Sequence, residues 1–306
     1  MLDFHRLHLS QREQYNAIVF SLEERSCEYS FANLYLWGRQ QVVFRGDCAA
    51  FFSHFNGKSI YPYPIGSGDK RSLVAEAIRD AQGRGIPCRF SSMTEQDCRE
   101  LEDWYPGKFF FRPDRDGFDY VYDIHALADL KGKKLQKKRN HLNRFRAEHP
   151  DVKVFPLDSS NLDTAREMVE QWYQNRMRND PDRDYCLERL AMRRAFQKYE
   201  GLGMEGIVLM EGERCIAVTM GTRLSESTFN THFEKAREDV DGAYTAVNAA
   251  FAGYLREKFP ELLYINREDD MGIEGLRRAK SSYHPHHMME KYIADAKEEF
   301  YDDPEA

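Results

Sequence analysis

The sequence predicts an α+β protein built as two copies of one domain, each with a mostly antiparallel sheet. Three observations lead there. A chain of 306 residues suits two domains of roughly 150 residues each. A hydrophobic fraction of 42% beside 31% charged residues belongs to a packed globular chain, not a disordered one. The same order of elements is read twice along the chain: three antiparallel strands, helix, strand, helix, final strand. The expected division is 1–128, a basic linking helix at 129–149, and 150–306.

The first half opens with an apolar period over 11–25 (Tyr15, Ile18, Val19, Leu22), which predicts a helix. QQVVFRG and CAAFFSHF are β-rich runs separated by Gly46 and Asp47, a hairpin signal. KSIYPYPIG is expected as an edge strand because of Pro62 and Pro64. A helix over 69–83, the strand CRFSSM and a helix opened by a Thr94/Asp97 capping box follow. KFFFRPDRDGFDYVYDI is expected to close the half as two strands paired around DRDG.

In the second half VKVFPL reads as a strand, followed by helices over 161–177 and 185–200. EGIVLME, CIAVTMGTRL and STFNTHFEKA are the three strands, and 243–257 is a helix with Tyr244, Val247, Ala250, Phe251 and Tyr254 on its apolar stripe. LLYINRED is a strand, GIEGLRRAKSSY a helix, and HHMMEKYIA a last strand.

The net charge of −7 conceals an uneven distribution. Residues 131–149 hold eight Lys/Arg and one Glu, whereas the last twelve residues hold six acids and one Lys. On a helical wheel Leu135, Leu142 and Phe145 form an apolar stripe, with Lys133, Lys137 and Arg144 opposite. Arg139 and Arg146 flank the stripe, where partial burial calls for an anionic partner, either a carboxylate or a bound phosphate. The segment lacks the Glu–Lys pairs of an ordinary solvated helix, so a phosphate-rich partner is expected: tRNA, a nucleotide or CoA, or a lipid headgroup.

The start of the chain has no signal-peptide pattern and no apolar run is long enough to span a bilayer, so a cytoplasmic protein without a transmembrane segment is expected. Six cysteines show neither CxxC pairs nor zinc spacing. His284, His286, His287 and Glu290 are the nearest approach to a metal set, but neighbouring histidines of a strand point to opposite faces; no metal is expected.

Candidate chemistry sits in two places. Strand alternation puts Asn230, His232 and Glu234 on one face, an unusual set for a middle strand. The strand at Tyr264–Ile265 ends in Asn266, Arg267, Glu268, Asp269 and Asp270, ahead of a helix with Arg277, Arg278 and Lys280. Asp269 or Asp270 can serve as a helix cap, a role that fits Glu268 poorly. A His/Glu face beside a strand-end carboxylate suits binding of an ammonium, or proton removal from an amine or hydroxyl.

The run GAYTAVN…INREDDMGIEGLRRAKSSYHP, with THFEKA, KKRNHLNRF and FANLYLWG, resembles the cytosolic bacterial relatives of the phosphatidylglycerol lysyltransferase C-terminal domain. The resemblance covers nearly the whole chain and implies two tandem GNAT-like (acyl-CoA N-acyltransferase) folds. It implies transfer of an amino acid from aminoacyl-tRNA to an amine or hydroxyl, as in the lysyltransferases and the Fem-type enzymes. The matching positions are His232, Glu234 and Lys235; Asn266, Arg267, Glu268 and Asp269; and Arg277, Lys280 and Tyr283, with Asn230 beside them. In this reading Glu234 or Glu268 binds the α-ammonium or assists proton removal. Lys280 or Arg277 stabilises the oxyanion or holds a terminal phosphate, and Lys133, Lys137, Arg139 and Arg144 meet RNA. The acceptor is a small molecule, a peptide or a lipid headgroup, and the oligomeric state is left open.

GNAT acetyltransferases hold the CoA pyrophosphate in a glycine-rich loop opening a helix. The corresponding AREDVDGAY has one glycine, Gly242, among acids, which argues against acetyl-CoA and leaves no cofactor beyond the donor substrate. Two alternatives remain: a CoA-dependent N-acetyltransferase, and a non-catalytic protein binding a phosphorylated ligand or RNA.

Overall fold

A computed structural model describes the chain apart from residues 21, 23, 24, 56, 182 and 298–306. Most of the acidic tail, and part of the first expected helix, lie outside the described residues. The first elements are β1 (His5–Arg6), α1 (Arg12–Val19), α2 (Phe31–Trp37), β2 (Gln40–Arg45), β3 (Cys48–Phe55), β4 (Lys58–Pro62) and β5 (Ile65–Gly66). Then come α3 (Lys70–Arg84), β6 (Arg89–Met93), α4 (Glu95–Trp104), β7 (Phe109–Pro113), β8 (Asp119–Asp123), α5 (Ile124–Asp129) and α6 (Gln136–Glu148). These are followed by β9 (Val152–Pro156), α7 (Leu162–Asn179), α8 (Cys186–Gln197), β10 (Glu205–Glu211), β11 (Arg214–Arg223), β12 (Thr228–Ala236) and α9 (Ala243–Lys258). The chain closes with β13 (Tyr264–Asn266), α10 (Glu274–Ser281), β14 (His287–Met289) and β15 (Tyr292–Ala296). Local chemistry sets several boundaries. At α4 the Thr94 hydroxyl accepts from Asp97 N–H while the Asp97 carboxylate accepts from Thr94 N–H at 2.8 Å, satisfying two otherwise unpaired donors. At α3, Asp69 caps the start and Gly85, at φ +66°, ends it in the left-handed region.

The chain divides into two compact units. One comprises 1–119, 269–272 and the end from 289; the other comprises 120–268 and 273–288. The sequence-derived boundaries at 128/129 and 149/150 do not coincide with these, and strand pairing shows why. The first unit's sheet runs β1-β2-β3-β4-β6-β15-β7, with β5 on β3. The second runs β14-β8-β13-β12-β11-β10-β9. Thus β7 and β8, expected to pair around DRDG, belong to different sheets. HHMMEKYIA, expected as one strand, is two, divided near Lys291 and likewise assigned to different sheets. Each sheet borrows one strand, β15 or β8, and inserts it at the corresponding place: between β6 and β7, and between β13 and β14. The expected edge strand β4 lies inside its sheet, antiparallel to β3 and parallel to β6, because Pro62 falls at its last residue.

The core of the first unit gathers Val43, Phe52, Tyr61, Tyr63, Leu73, Val74, Ile78 and Phe90 against α3. A polar cluster adjoins it. Cys27, Asp119 and Asp269 bring potential ligand atoms within 4.8 Å of one another. The Lys291 ammonium lies 2.6 Å from Asp119, 2.7 Å from Glu28 and 3.7 Å from Cys27 Sγ, so a cation of the chain itself balances these acids. Burial works against that charge, yet Asp119, with Cys27, Glu28 and Asp269, holds Lys291 well above the usual lysine value.

In the second unit α9 lies across the sheet, burying Val247, Phe251 and Leu255, and α6 packs on α9 through Leu142 and Phe145. The basic helix is therefore part of this unit's core and not a separate linker. Among the described residues no helix is long and apolar enough to cross a membrane.

Candidate functional site

β12 and β13 run parallel, but their pairing ends at Asn230 and Asn266. Beyond it the chain after β13 stays with β8: Arg267 N–H donates to Tyr120 O at 2.9 Å, and Tyr120 N–H to Glu268 O at 3.1 Å. β12 continues to Ala236 paired only with β11, so a slot opens between its second half and Arg267–Glu268. Glu268 takes φ +59°, uncommon outside glycine, and Asn266 fixes it by accepting from Glu268 N–H at 2.7 Å.

The expected shared face of Asn230, His232 and Glu234 is corrected by a β-bulge. Met220 pairs with Phe233 but Gly221 with Thr231, leaving His232 as the extra residue. Phe229 packs edge-on to Phe251 of α9 at 5.5 Å, and Glu234 meets Asn248 of α9. Unbroken alternation would place positions 229 and 234 on opposite faces. Glu234 therefore faces α9, whereas Asn230 and His232 face away from it.

Two clusters bridge the slot. On the α9 face Glu234 accepts from Arg267 Nη2 at 2.8 Å and from Asn248 Nδ2 at 3.2 Å. The Tyr283 and Tyr122 rings flank the guanidinium at 5.1 and 5.8 Å. Burial opposes the Arg267 charge, but Glu234 first, and the tyrosines after it, hold its pKa above the usual arginine value. Lys138 of α6 sits 4.1 Å from the Tyr283 ring centroid. Burial pushes its pKa down and the nearby Arg267 adds to that, against the pull of Glu234. Arg267 Nη1 and Asn248 Oδ1 are buried without a protein partner. A donor and an acceptor left unmet on two residues that hold one carboxylate mark a place for a polar guest.

On the other face Glu268 Oε1 accepts from Asn230 Nδ2 at 2.8 Å and lies 3.0 Å from His232 Nδ1. His232 Nε2 is 2.8 Å from Thr222 Oγ1.

The remaining expected residues disperse. Lys280 is buried and donates to the Arg267 carbonyl at 2.6 Å, pinning the turn that carries Arg267 and Glu268. Tyr283 covers Arg267, and Arg277 is half-buried on α10. Lys235 points away from α9, to Glu188 at 2.7 Å and over the Trp172 ring at 3.9 Å. Asp269 belongs to the first unit's acidic cluster.

On the basic helix and its approach, Lys133 and Lys137 are exposed, and Arg144 is paired with Asp241. The anionic partner expected for Arg139 is replaced by carbonyls: its guanidinium donates to Leu130 O at 2.7 Å and Gly132 O at 3.2 Å, where α5 ends. Arg146, expected to be partly buried, is exposed. Lys138, Asn248, Tyr122 and Thr222 escaped the sequence reading. Only Lys138 carried a signal, a lysine in line with Leu135, Leu142 and Phe145 at helical spacing.

The start of α9 is packed against α6. The Gly242 Cα lies against α6 so closely that a Cβ there would meet Phe145 Cβ at 3.0 Å and His141 O at 3.2 Å. The preceding acids Glu238, Asp239 and Asp241 are engaged by Arg176, Arg237 and Arg144.

Comparison with known proteins places this geometry in a family. A family model described as phosphatidylglycerol lysyltransferase, C-terminal, matches residues 20–295. The crystal structure of a conserved protein of unknown function from Bacteroides thetaiotaomicron is 34% identical, with TM-score 0.91 over 97% of this chain and 100% of that one. The C-terminal domain of a putative lysylphosphatidylglycerol synthetase from Agrobacterium fabrum is 16% identical, with TM-score 0.68 over 95% and 93%. FemX is 10% identical, with TM-score 0.59 over the whole of both chains. The latter two bear on the fold alone, and the two units carry the GNAT-like fold that the resemblance implied. A curated relative, an uncharacterised protein of Mycoplasmoides gallisepticum, is 26% identical over 181 residues, 57% of this chain and 55% of its own, so the chain matches about half the length of that relative. With its family model spanning both units, the chain belongs to the phosphatidylglycerol lysyltransferase C-terminal family.

Proposed function

We propose that the slot between β12 and β13 transfers an aminoacyl group from an aminoacyl-tRNA ester to an amine or hydroxyl acceptor. The observation that carries this reading is the pair of unmet buried atoms, Arg267 Nη1 and Asn248 Oδ1, beside Glu234. An aminoacyl ester complements them: its carbonyl accepts from Arg267, and its α-ammonium donates to Asn248 and faces the Glu234 carboxylate. An acetyl group has no ammonium and would leave Asn248 Oδ1 unmet. The family description, which names a lysyl transfer, supports an aminoacyl group as the group moved.

In this reading Arg267 stabilises the charge that develops on the carbonyl oxygen. Glu268, positioned by Asn266, works through His232 to take a proton on the other face of the slot. Lys280 acts through the turn it pins. Lys133 and Lys137 supply exposed charge for the donor's phosphate backbone. The test is transfer of radiolabelled amino acid from charged tRNA to a panel of amines, peptides and lipid headgroups. Product that depends on charging is expected. Transfer supported by acetyl-CoA and not by any aminoacyl-tRNA would overturn the reading.

A further inference from the structure

We propose that Thr222, His232 and Glu268 form a nucleophilic triad, and that acyl transfer passes through an ester on Thr222. The proposal deepens the aminoacyl-transfer reading and takes only its donor from it. The geometry is a hydroxyl–imidazole–carboxylate relay: Thr222 Oγ1 to His232 Nε2 at 2.8 Å, and His232 Nδ1 to Glu268 Oε1 at 3.0 Å. With Glu268 ionised and only accepting, the relay uses the tautomer whose ring proton is on the Nδ1 beside it. Nε2 is then an acceptor, and the Thr222 hydroxyl is its donor. That is the tautomer in which the imidazole can take the hydroxyl proton. Asn230 Nδ2 lies 2.8 Å from Glu268 Oε1 and 2.9 Å from His232 Nδ1, and in this tautomer it donates to the carboxylate alone and holds it in place.

Two further observations favour chemistry here. The His232 side chain is 1% exposed, Thr222 is buried at 7% and the Glu268 side chain is 20% exposed, so the hydroxyl and the ring are both shielded from bulk water. Asn230 is fully buried, yet its Oδ1 has no protein partner, which leaves an acceptor beside the imidazole for an incoming N–H. The bulge at His232 creates the arrangement by turning Asn230 and His232 away from α9.

In the first half-reaction Thr222 Oγ attacks the ester carbonyl carbon. The Oγ–C bond forms, the Oγ proton moves to His232 Nε2, and the ester C–O bond breaks as that proton passes to the departing oxygen. In the second, the acceptor amine or hydroxyl attacks the Thr222 ester and gives its proton to His232, which returns it to Thr222 Oγ. Nothing beyond donor ester and acceptor is consumed.

The test uses the full chain with p-nitrophenyl acetate, an activated ester that needs no tRNA. A burst of p-nitrophenolate stoichiometric with protein is expected, with a single acetyl group mapped to Thr222 by peptide mass spectrometry. Thr222→Val, near in shape but without the hydroxyl, should abolish the burst while keeping the unfolding midpoint. Thr222→Ser should retain it, and Glu268→Gln should slow acylation by about 10²- to 10⁴-fold and alter its pH profile. An unchanged burst in Thr222→Val, an adduct confined to another residue such as Lys138, or no adduct in the unaltered protein overturns the triad. Should Thr222→Val fail to fold, the mapped adduct and the Glu268→Gln rate decide. Transfer from aminoacyl-tRNA without a Thr222 adduct overturns the covalent step and leaves the donor reading standing. A Thr222 adduct without such transfer supports the triad and overturns the donor reading.

Discussion

The two units use the same device, a parallel strand pair joined by a helix, and fill it differently. In the first, β4 and β6 are joined through α3, and Tyr61, Tyr63 and Phe90 are no more than 1% exposed. Tyr63 and Phe90 meet edge to face at 5.5 Å, and the Tyr61 hydroxyl donates to Asp80 of α3 at 2.8 Å. In the second, β12 and β13 are joined through α9, and the corresponding ground holds Asn230, His232, Glu234, Arg267 and Glu268. One pair is closed by rings and the other is held open by charge. Topology supplies an opening; side chains decide whether anything can use it.

Mutations should separate the roles of the two units. The largest expected effect is on stability in the first. Lys291→Met leaves Asp119 buried without its cation and should cost about 3–5 kcal/mol in urea unfolding. Because the Lys291 pKa is raised on folding, its contribution is complete below the unfolded lysine value of about 10.4 and is lost only as pH climbs through the higher folded value. The deficit should therefore be flat across neutral pH, and a deficit that varies there would break the assignment.

The next effect belongs to the second unit and to rate. Arg267→Met should lower single-turnover aminoacyl transfer by about 10²- to 10³-fold. Tyr61→Phe, at the closed pair, should leave that rate within about twofold and cost about 1 kcal/mol of stability. Comparable rate losses in the two variants would erase the distinction between the units. A smaller effect is expected on the basic helix. Lys133→Ala with Lys137→Ala should reduce the salt slope of tRNA binding by about 1 for each phosphate no longer neutralised, and Arg144→Ala by less, since Asp241 already engages it.

The smallest concerns Lys138, whose pKa is lowered on folding, so the unfolded chain binds its proton more tightly. Stability should rise with pH between the lowered folded value and about 10.4. Lys138→Met should remove that rise, as read from urea midpoints between pH 7 and 10.

Much of this was legible in the sequence because it depends on local pattern. The Thr94/Asp97 box, Val247 and Phe251 of the α9 stripe and the hairpin at Gly46 each involve neighbours a few positions apart, although Tyr244, expected on that stripe, is exposed. The site was legible as a set of residues and illegible as an arrangement. His232 is extra only relative to β11, a fact of pairing that β12 alone does not contain. The assignment of β8 and β15 likewise depends on hydrogen bonds formed more than a hundred residues away. Lys138 differs, because its place in the apolar stripe of α6 is readable from spacing, although its charge groups it with the exposed lysines around it.

The borrowed strands bear on how the protein comes into being. When synthesis has passed residue 130, β6 and β7 exist, but the strand that stands between them is still more than 160 residues from being made. The first unit's sheet therefore has an unfilled place until residues 292–296 leave the ribosome. Its two flanking strands wait with unpaired edges, a hazard for association with other chains. Pairing over such sequence separation is slow to find. A cut at the apparent midpoint would yield two incomplete sheets instead of two domains, and loss of the final fifteen residues would remove β15 from the first sheet, not merely trim a tail.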